Sequence, residues 1–161
     1  MTNSDTREEQ ARSLTEAVQA LRRGLGEDLV AVVLYGSRAR GEADPESDWD
    51  LLVIARNLPE KYLQRHFGLK TLLPDAWRGR VSALAKTPAE FEARLPALYL
   101  DIALDGIVLH DTGGYITEKL AYLRDLLARR GLRREQTGRD LTWRWQQPPE
   151  SKWTLEWGDA R

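Results

Sequence analysis

The chain contains no cysteine, which excludes disulfide bonds, thiol nucleophiles and thiolate-held zinc. Histidine is scarce as well. His66 lies in a helical stretch beside Arg65, and His110 follows a short apolar run with only Asp111 adjacent, so neither has partners at metal-ligand spacing. No single sign of charge dominates: 24 Lys and Arg face 25 Asp and Glu, a formal net charge of −1, which argues against nucleic-acid binding by bulk electrostatics. Most of the positive charge is arginine rather than lysine. No apolar run approaches the length of a membrane span, and Met1-Thr2-Asn3-Ser4-Asp5 lacks the basic and apolar regions of a secretion signal. A cytoplasmic location without membrane association is therefore expected. At 161 residues and 42% hydrophobic, the chain suits one domain with a modest appendage.

The stretch from Leu34 to Val53 carries the chemistry. Asp48 and Asp50 stand two apart where an apolar run begins, and a strand projects residues i and i+2 from one face. Two neighbouring carboxylates repel unless a cation lies between them, and Mg²⁺ is commonly held by one or two carboxylates plus substrate phosphates and water. Upstream, Gly36-Ser37 follows the apolar run Leu29 to Tyr35; glycine lets backbone approach a phosphate, and the serine hydroxyl can donate to it. Arg38 and Arg40 offer guanidinium groups for phosphate, or are solvated charges on a short surface helix. Either half alone reads as an ordinary turn with Ser37 as a helix cap. Together they point to a nucleoside triphosphate.

Gly36-Ser37, ten intervening residues and then Asp48-Trp49-Asp50 resemble the GS-x10-DxD signature of the minimal nucleotidyltransferases, a small branch of the DNA polymerase β superfamily. Ser37-Arg38-Ala39-Arg40-Gly41 and Ser47-Asp48-Trp49-Asp50-Leu51-Leu52-Val53 are similar to the family in the filler too. The resemblance implies an α/β (α+β) nucleotidyltransferase fold, a small mixed β-sheet flanked by helices. It implies transfer of a nucleotide to a hydroxyl with loss of pyrophosphate, helped by two metal ions, with Asp48 and Asp50 as catalytic metal ligands and Gly36 and Ser37 on the β- and γ-phosphates. Many members carry a third carboxylate on a later strand. Here that strand is expected at Arg80 to Ala85 and holds no acid, with Ser82 where an aspartate would be; Glu90, Glu92, Asp101 and Asp105 are the carboxylates that follow it. Small members of the family often act as antitoxins that adenylylate a HEPN ribonuclease toxin, which implies a protein partner.

Local signals order the rest of the chain. Thr6-Arg7-Glu8-Glu9 reads as a capping box opening an amphipathic helix that ends near Gly24 or Gly26. Leu29 to Tyr35 and Trp49 to Ala55 read as strands, the first central and buried. Pro59 is expected in the first turn of a helix through Tyr62, Leu63 and Phe67. Thr87-Pro88-Ala89-Glu90 is a helix start. Ala97 to Asp105 is expected as a helix burying Leu98, Ile102 and Leu104, ended by Gly106. Ile107 to Leu109 reads as a short strand, and Tyr115 to Arg130 as a helix with Leu120, Leu123, Leu126 and Leu127 on its inner face, capped by Gly131.

After residue 131 the composition shifts, dividing a nucleotidyltransferase domain, 1–131, from a Trp-rich C-terminal extension, 132–161. Arg133 to Arg139 reads as a polar linker. Thr142 to Trp145 and Trp153 to Trp157 then read as the arms of a β-hairpin around Gln147-Pro148-Pro149-Glu150. Its tryptophans either fold back on the domain or form a homo-oligomer or partner interface; base stacking on RNA is the weakest option. Two functions follow: a Mg²⁺-dependent adenylyltransferase acting on a partner protein, or a weakened nucleotide-binding module that neutralises its partner by contact through the tail.

Overall fold

The computed structural model describes residues 14–146 and 155–158. Four strands make the central sheet: β1 (Leu29–Tyr35), β2 (Trp49–Ala55), β3 (Val81–Lys86) and β4 (Ile107–Asp111). Their order is β3-β2-β1-β4, with β1 antiparallel to both β2 and β4 and β2 parallel to β3, so the sheet is mixed as expected. β1 and β2 are the continuous apolar runs of the sequence, and they occupy the middle because both of their faces are covered.

Alternation along these two strands feeds two cores. Val32, Leu34, Leu51 and Val53 face α1 (Thr15–Leu25), while Val33, Leu52 and Ile54 face the opposite side. The first core is closed by Leu69 of α3 (Tyr62–Leu72) and Trp77 of α4 (Asp75–Arg78). Three helices close the second: α5 (Pro88–Ala93), α6 (Ala97–Asp105) and α7 (Tyr115–Arg130). A four-residue helix, α2 (Ser37–Arg40), leads out of β1.

Many local signals hold. Thr87 and Glu90 exchange the two hydrogen bonds of a capping box at 3.2 and 2.9 Å, with Pro88 opening α5. α7 ends at Gly131, and all four leucines of its stripe are buried. α1 runs past Gly24 to Leu25 and stops at Gly26. Gly24 lies inside the helix, where a Cβ would be 2.4 Å from the Leu72 side chain of α3, so the glycine lets the two helices touch. The capping box expected at Thr6 to Glu9 lies outside the described residues.

Other expectations are corrected. Pro59 precedes α3 rather than starting it, and its carbonyl accepts a 2.8 Å hydrogen bond from Arg65. In α6 Leu98 and Leu104 are exposed, at 37% and 41%, while Tyr99, Leu100, Ile102 and Ala103 are buried. That helix is apolar around most of its circumference, so its pattern does not select a face; the cover over Asp101 and Asp105 does.

The cover is a hairpin that pairs differently from expectation. β5 (Leu132–Thr137) and β6 (Asp140–Trp145) are antiparallel around Gly138, whose φ of 62° suits a tight reversal. The segment read as a polar linker is thus a strand, and Thr142 to Trp145 pairs backward with it. Of the expected second arm, Trp153 and Thr154 lie outside the described residues, and Leu155 to Trp157 is not a strand. Trp143 packs against the second core. Trp157 sits among Phe91, Tyr99 and Tyr122, its indole N–H shared between the carbonyls of Phe91 and Arg94 at 2.9 Å each. These two tryptophans fold back on the domain.

Candidate active site

β1 delivers the chain to Gly36, whose φ of 77° and ψ of −158° turn it into α2. A side chain is excluded at this position twice over. The backbone conformation disfavours L-residues, and a Cβ would lie 2.5 Å from a carboxylate oxygen of Asp50. Backbone of the Gly-Ser turn therefore touches the second acid directly.

The loop that follows is held by its own side chains. Asp44 accepts hydrogen bonds from the Glu46 amide and the Ser47 hydroxyl at 3.0 and 3.1 Å, the asparagine-like turn that Asp before Pro45 favours. Arg38 donates to the Ser47 carbonyl at 2.8 Å and lies 4.4 Å over the Trp49 ring. Trp49 is buried edge-on against Trp77. Strand alternation turns Trp49 inward and leaves Asp50 half-buried on the other face, while Asp48, just before β2, is exposed. Arg38 thus clamps the loop that presents Asp48.

Asp50 lies opposite Tyr35 of β1 and beside Ser82 of β3 in the sheet register. Burial first, and then the Asp48 charge, raise the Asp50 carboxyl above its usual range, while Arg40 acts in the other direction. Burial and the Asp50 charge push the Tyr35 hydroxyl up to about 12. Tyr35 was missed in the sequence; its position next to Gly36 on an antiparallel strand is the signal that could have found it. In both groups burial is the larger cause and a neighbouring carboxylate the smaller one. The donors of the site are two carboxylates reached by solvent, a set that suits a hard cation completed by phosphate oxygens and water.

Ser82 stands level with Asp50, as anticipated, and supplies no third carboxylate. The acids considered for that role are engaged elsewhere. Glu90 caps α5 and pairs with Arg65 at 3.0 Å. Glu92 pairs with Lys119. Asp101 and Asp105 both meet Arg134 of β5, and Asp105 is also 3.7 Å from Arg40. Among the described residues, no group of three or more His, Asp or Glu side chains converges as a metal site.

Beside Tyr35 and Ser82 opens a cleft of about 370 Å³, whose walls include Tyr62, Arg65, Lys86 and Glu90. His66 stacks on Tyr62 at its rim, and His110 contacts Thr112 at 3.1 Å away from the acids. Neither histidine joins Asp48 and Asp50.

A family profile described as "Nucleotidyltransferase domain" matches residues 14–104. MJ1305 of Methanocaldococcus jannaschii, named as a candidate protein adenylyltransferase, is 45% identical over 60 residues. That match spans 37% of this chain and only 41% of the relative's length. Among solved structures, a toxin–antitoxin with AMP-PNP has a TM-score of 0.50 at 19% identity, covering 72% of this chain and 91% of that one. A Sulfolobus solfataricus structure, named as a candidate nucleotidyltransferase, has a TM-score of 0.46 at 20% identity, covering 66% and 84%. With more than half of its length matched by the profile, the chain belongs to the nucleotidyltransferase-domain family.

Proposed function

We propose that the chain transfers AMP from ATP to a hydroxyl of a partner protein, with Mg²⁺ held by Asp48 and Asp50. The observation that carries this reading is the direct approach of Gly36 to Asp50: a phosphate-binding turn and a carboxylate pair share one surface, and any side chain between them would separate the two. Mg²⁺, when bound, neutralises the phosphates and the developing charge on the leaving oxygen.

The protein's own groups then supply position. The Gly36 backbone and Ser37 hydroxyl receive the outer phosphates, and Arg40 adds positive potential beside the acids. The acceptor hydroxyl enters from the cleft beside Tyr35 and Ser82 and forms a bond to the α-phosphorus. The bond to pyrophosphate breaks in line, and the hydroxyl proton leaves to water. Because Arg38 is occupied with the Ser47 carbonyl and Trp49, its contribution is to hold the loop rather than the phosphates.

The acceptor proposed is a protein, and specifically a HEPN-type toxin. The candidate name of MJ1305 and the toxin–antitoxin origin of one structure of similar fold support that class. A second reading, nucleotide binding without transfer, is favoured by Ser82, which brings no carboxylate to its place beside Asp50. It loses its proposed docking surface in part, since Trp143 and Trp157 are packed inward.

The experiment is label transfer from α-³²P-ATP with Mg²⁺ into a lysate of the source organism, comparing wild type with the Asp48→Ala, Asp50→Ala variant. Protease-sensitive label that requires both acids is the expected result. If the wild type transfers nothing yet still retains a stable partner in a pull-down, the transfer reading is wrong and binding alone remains.

A further inference from the structure

β5 reaches into the surroundings of the acids from outside the family-matched segment. Two of its residues on one face, Arg134 and Gln136, hold three carboxylates between them, and two of these, Asp105 and Glu42, are partners of Arg40. Arg134 grips Asp105 with two guanidinium nitrogens, at 2.5 and 2.7 Å, and Asp101 at 3.2 Å. Gln136 donates to Glu42 at 3.2 Å. Arg40 in turn donates to Glu42 at 3.1 Å and stands 3.7 Å from Asp105.

We propose that the hairpin positions Arg40 for the triphosphate, with Arg134 as its main positioning residue and Gln136 as a lesser one. The inference rests on the reading of Arg40 as facing a bound triphosphate.

Charge dictates the arrangement. Asp105 attracts both Arg40 and Arg134, and Arg134 competes with Arg40 for its oxygens. Arg134 satisfies both oxygens of Asp105 and one of Asp101, which leaves Arg40 only a long contact at 3.7 Å. The side chains of Arg134, Asp105 and Arg40 are 17%, 12% and 18% exposed, so solvent screens them weakly. Without Arg134 the attraction between Asp105 and Arg40 strengthens and draws Arg40 from the Asp48 and Asp50 surface. Arg134 acts through Asp105 and touches no reacting atom.

The test is calorimetric titration of the folded full chain with Mg²⁺ and α,β-methylene-ATP, which cannot be cleaved at the bond in question. Arg134→Ala is expected to weaken binding about fivefold when Arg40 is present, and to change it less than about twofold in an Arg40→Ala background, as residues of one network do. Gln136→Ala should weaken it about twofold with the same dependence. Arg134→Lys keeps the charge without the two-pronged grip and should fall between wild type and Arg134→Ala. If Arg134→Ala does not fold, judged by its circular dichroism, the Lys and Gln136 variants decide the question. A simple clamp fastening the hairpin would lower the melting temperature in both backgrounds and leave nucleotide affinity alone; that result, or equal weakening in both backgrounds, overturns the inference. Failure of the wild type to bind the analogue overturns the nucleotide reading and this inference together, whereas binding that is lost in Asp48→Ala, Asp50→Ala sustains the reading whatever Arg134 does.

Discussion

The segment from Gly36 to Asp50 carries Arg40 and the β5–β6 hairpin holds the carboxylates that Arg40 meets, yet the two are held by different kinds of interaction. The course of the first is set by contacts between near neighbours: the Gly36 turn, the Asp44 turn, and Arg38 bonded to a carbonyl nine residues on. The second depends on partners far away in the chain, Arg134 on Asp105 and Gln136 on Glu42. The difference teaches that a site can be laid down locally and tuned remotely.

Four substitutions sharpen or break that contrast. Gly36→Val has the largest expected effect: its Cβ meets Asp50 in a backbone conformation that valine resists, so label transfer should fall by about 100-fold and stability by about 1–3 kcal/mol. Retention of full transfer would show that the close approach is incidental. Trp157→Ala removes an indole from an aromatic cluster and leaves two carbonyls without their donor; denaturant unfolding should register a loss of about 2 kcal/mol, with nucleotide affinity unchanged. A large change in affinity would mean that Trp157 is coupled to the site.

Asp44→Ala deletes two exposed side-chain hydrogen bonds and should cost about 1 kcal/mol, while weakening Mg²⁺-dependent nucleotide binding because Asp48 leaves a looser loop. Wild-type stability with wild-type binding would assign the loop's order to Arg38 alone.

The smallest effect concerns Asp50. Its carboxyl is raised in the folded state by burial and by Asp48, so the native protein binds a proton there more readily than the unfolded chain does. That proton-linked stability is present below the ordinary carboxylate range and is lost as pH rises through the raised value. Asp50→Asn should therefore melt at a higher temperature than wild type at neutral pH without Mg²⁺, and the gap should close on acidification. A lower melting temperature at neutral pH would contradict the assigned repulsion.

Legibility in the sequence follows the same division. The strands flanking the site, the two acids on one face, the α5 capping box and the leucine stripe of α7 were all readable, since each depends on periodicity or on groups within a few residues. The exposed face of α6 was not readable, because a helix apolar on most sides takes its orientation from what covers it. The hairpin partner was misassigned for a related reason: Leu132 to Thr137 is polar on both faces and shows no apolar alternation, so pairing with β6 left no local trace. Tyr35 and Ser82 flank Asp50 only through strand register, a property of three strands together.

By itself the sequence determined the turn and the carboxylates, because a glycine with positive φ and a two-residue strand period are properties of the backbone. Tertiary structure decided what surrounds them. Ser82 lies beside Asp50 because β3 pairs parallel to β2, and Asp105 stands between two arginines because the hairpin lies on α6. Such juxtapositions follow from buried area and charge pairing between distant segments, which no local pattern encodes.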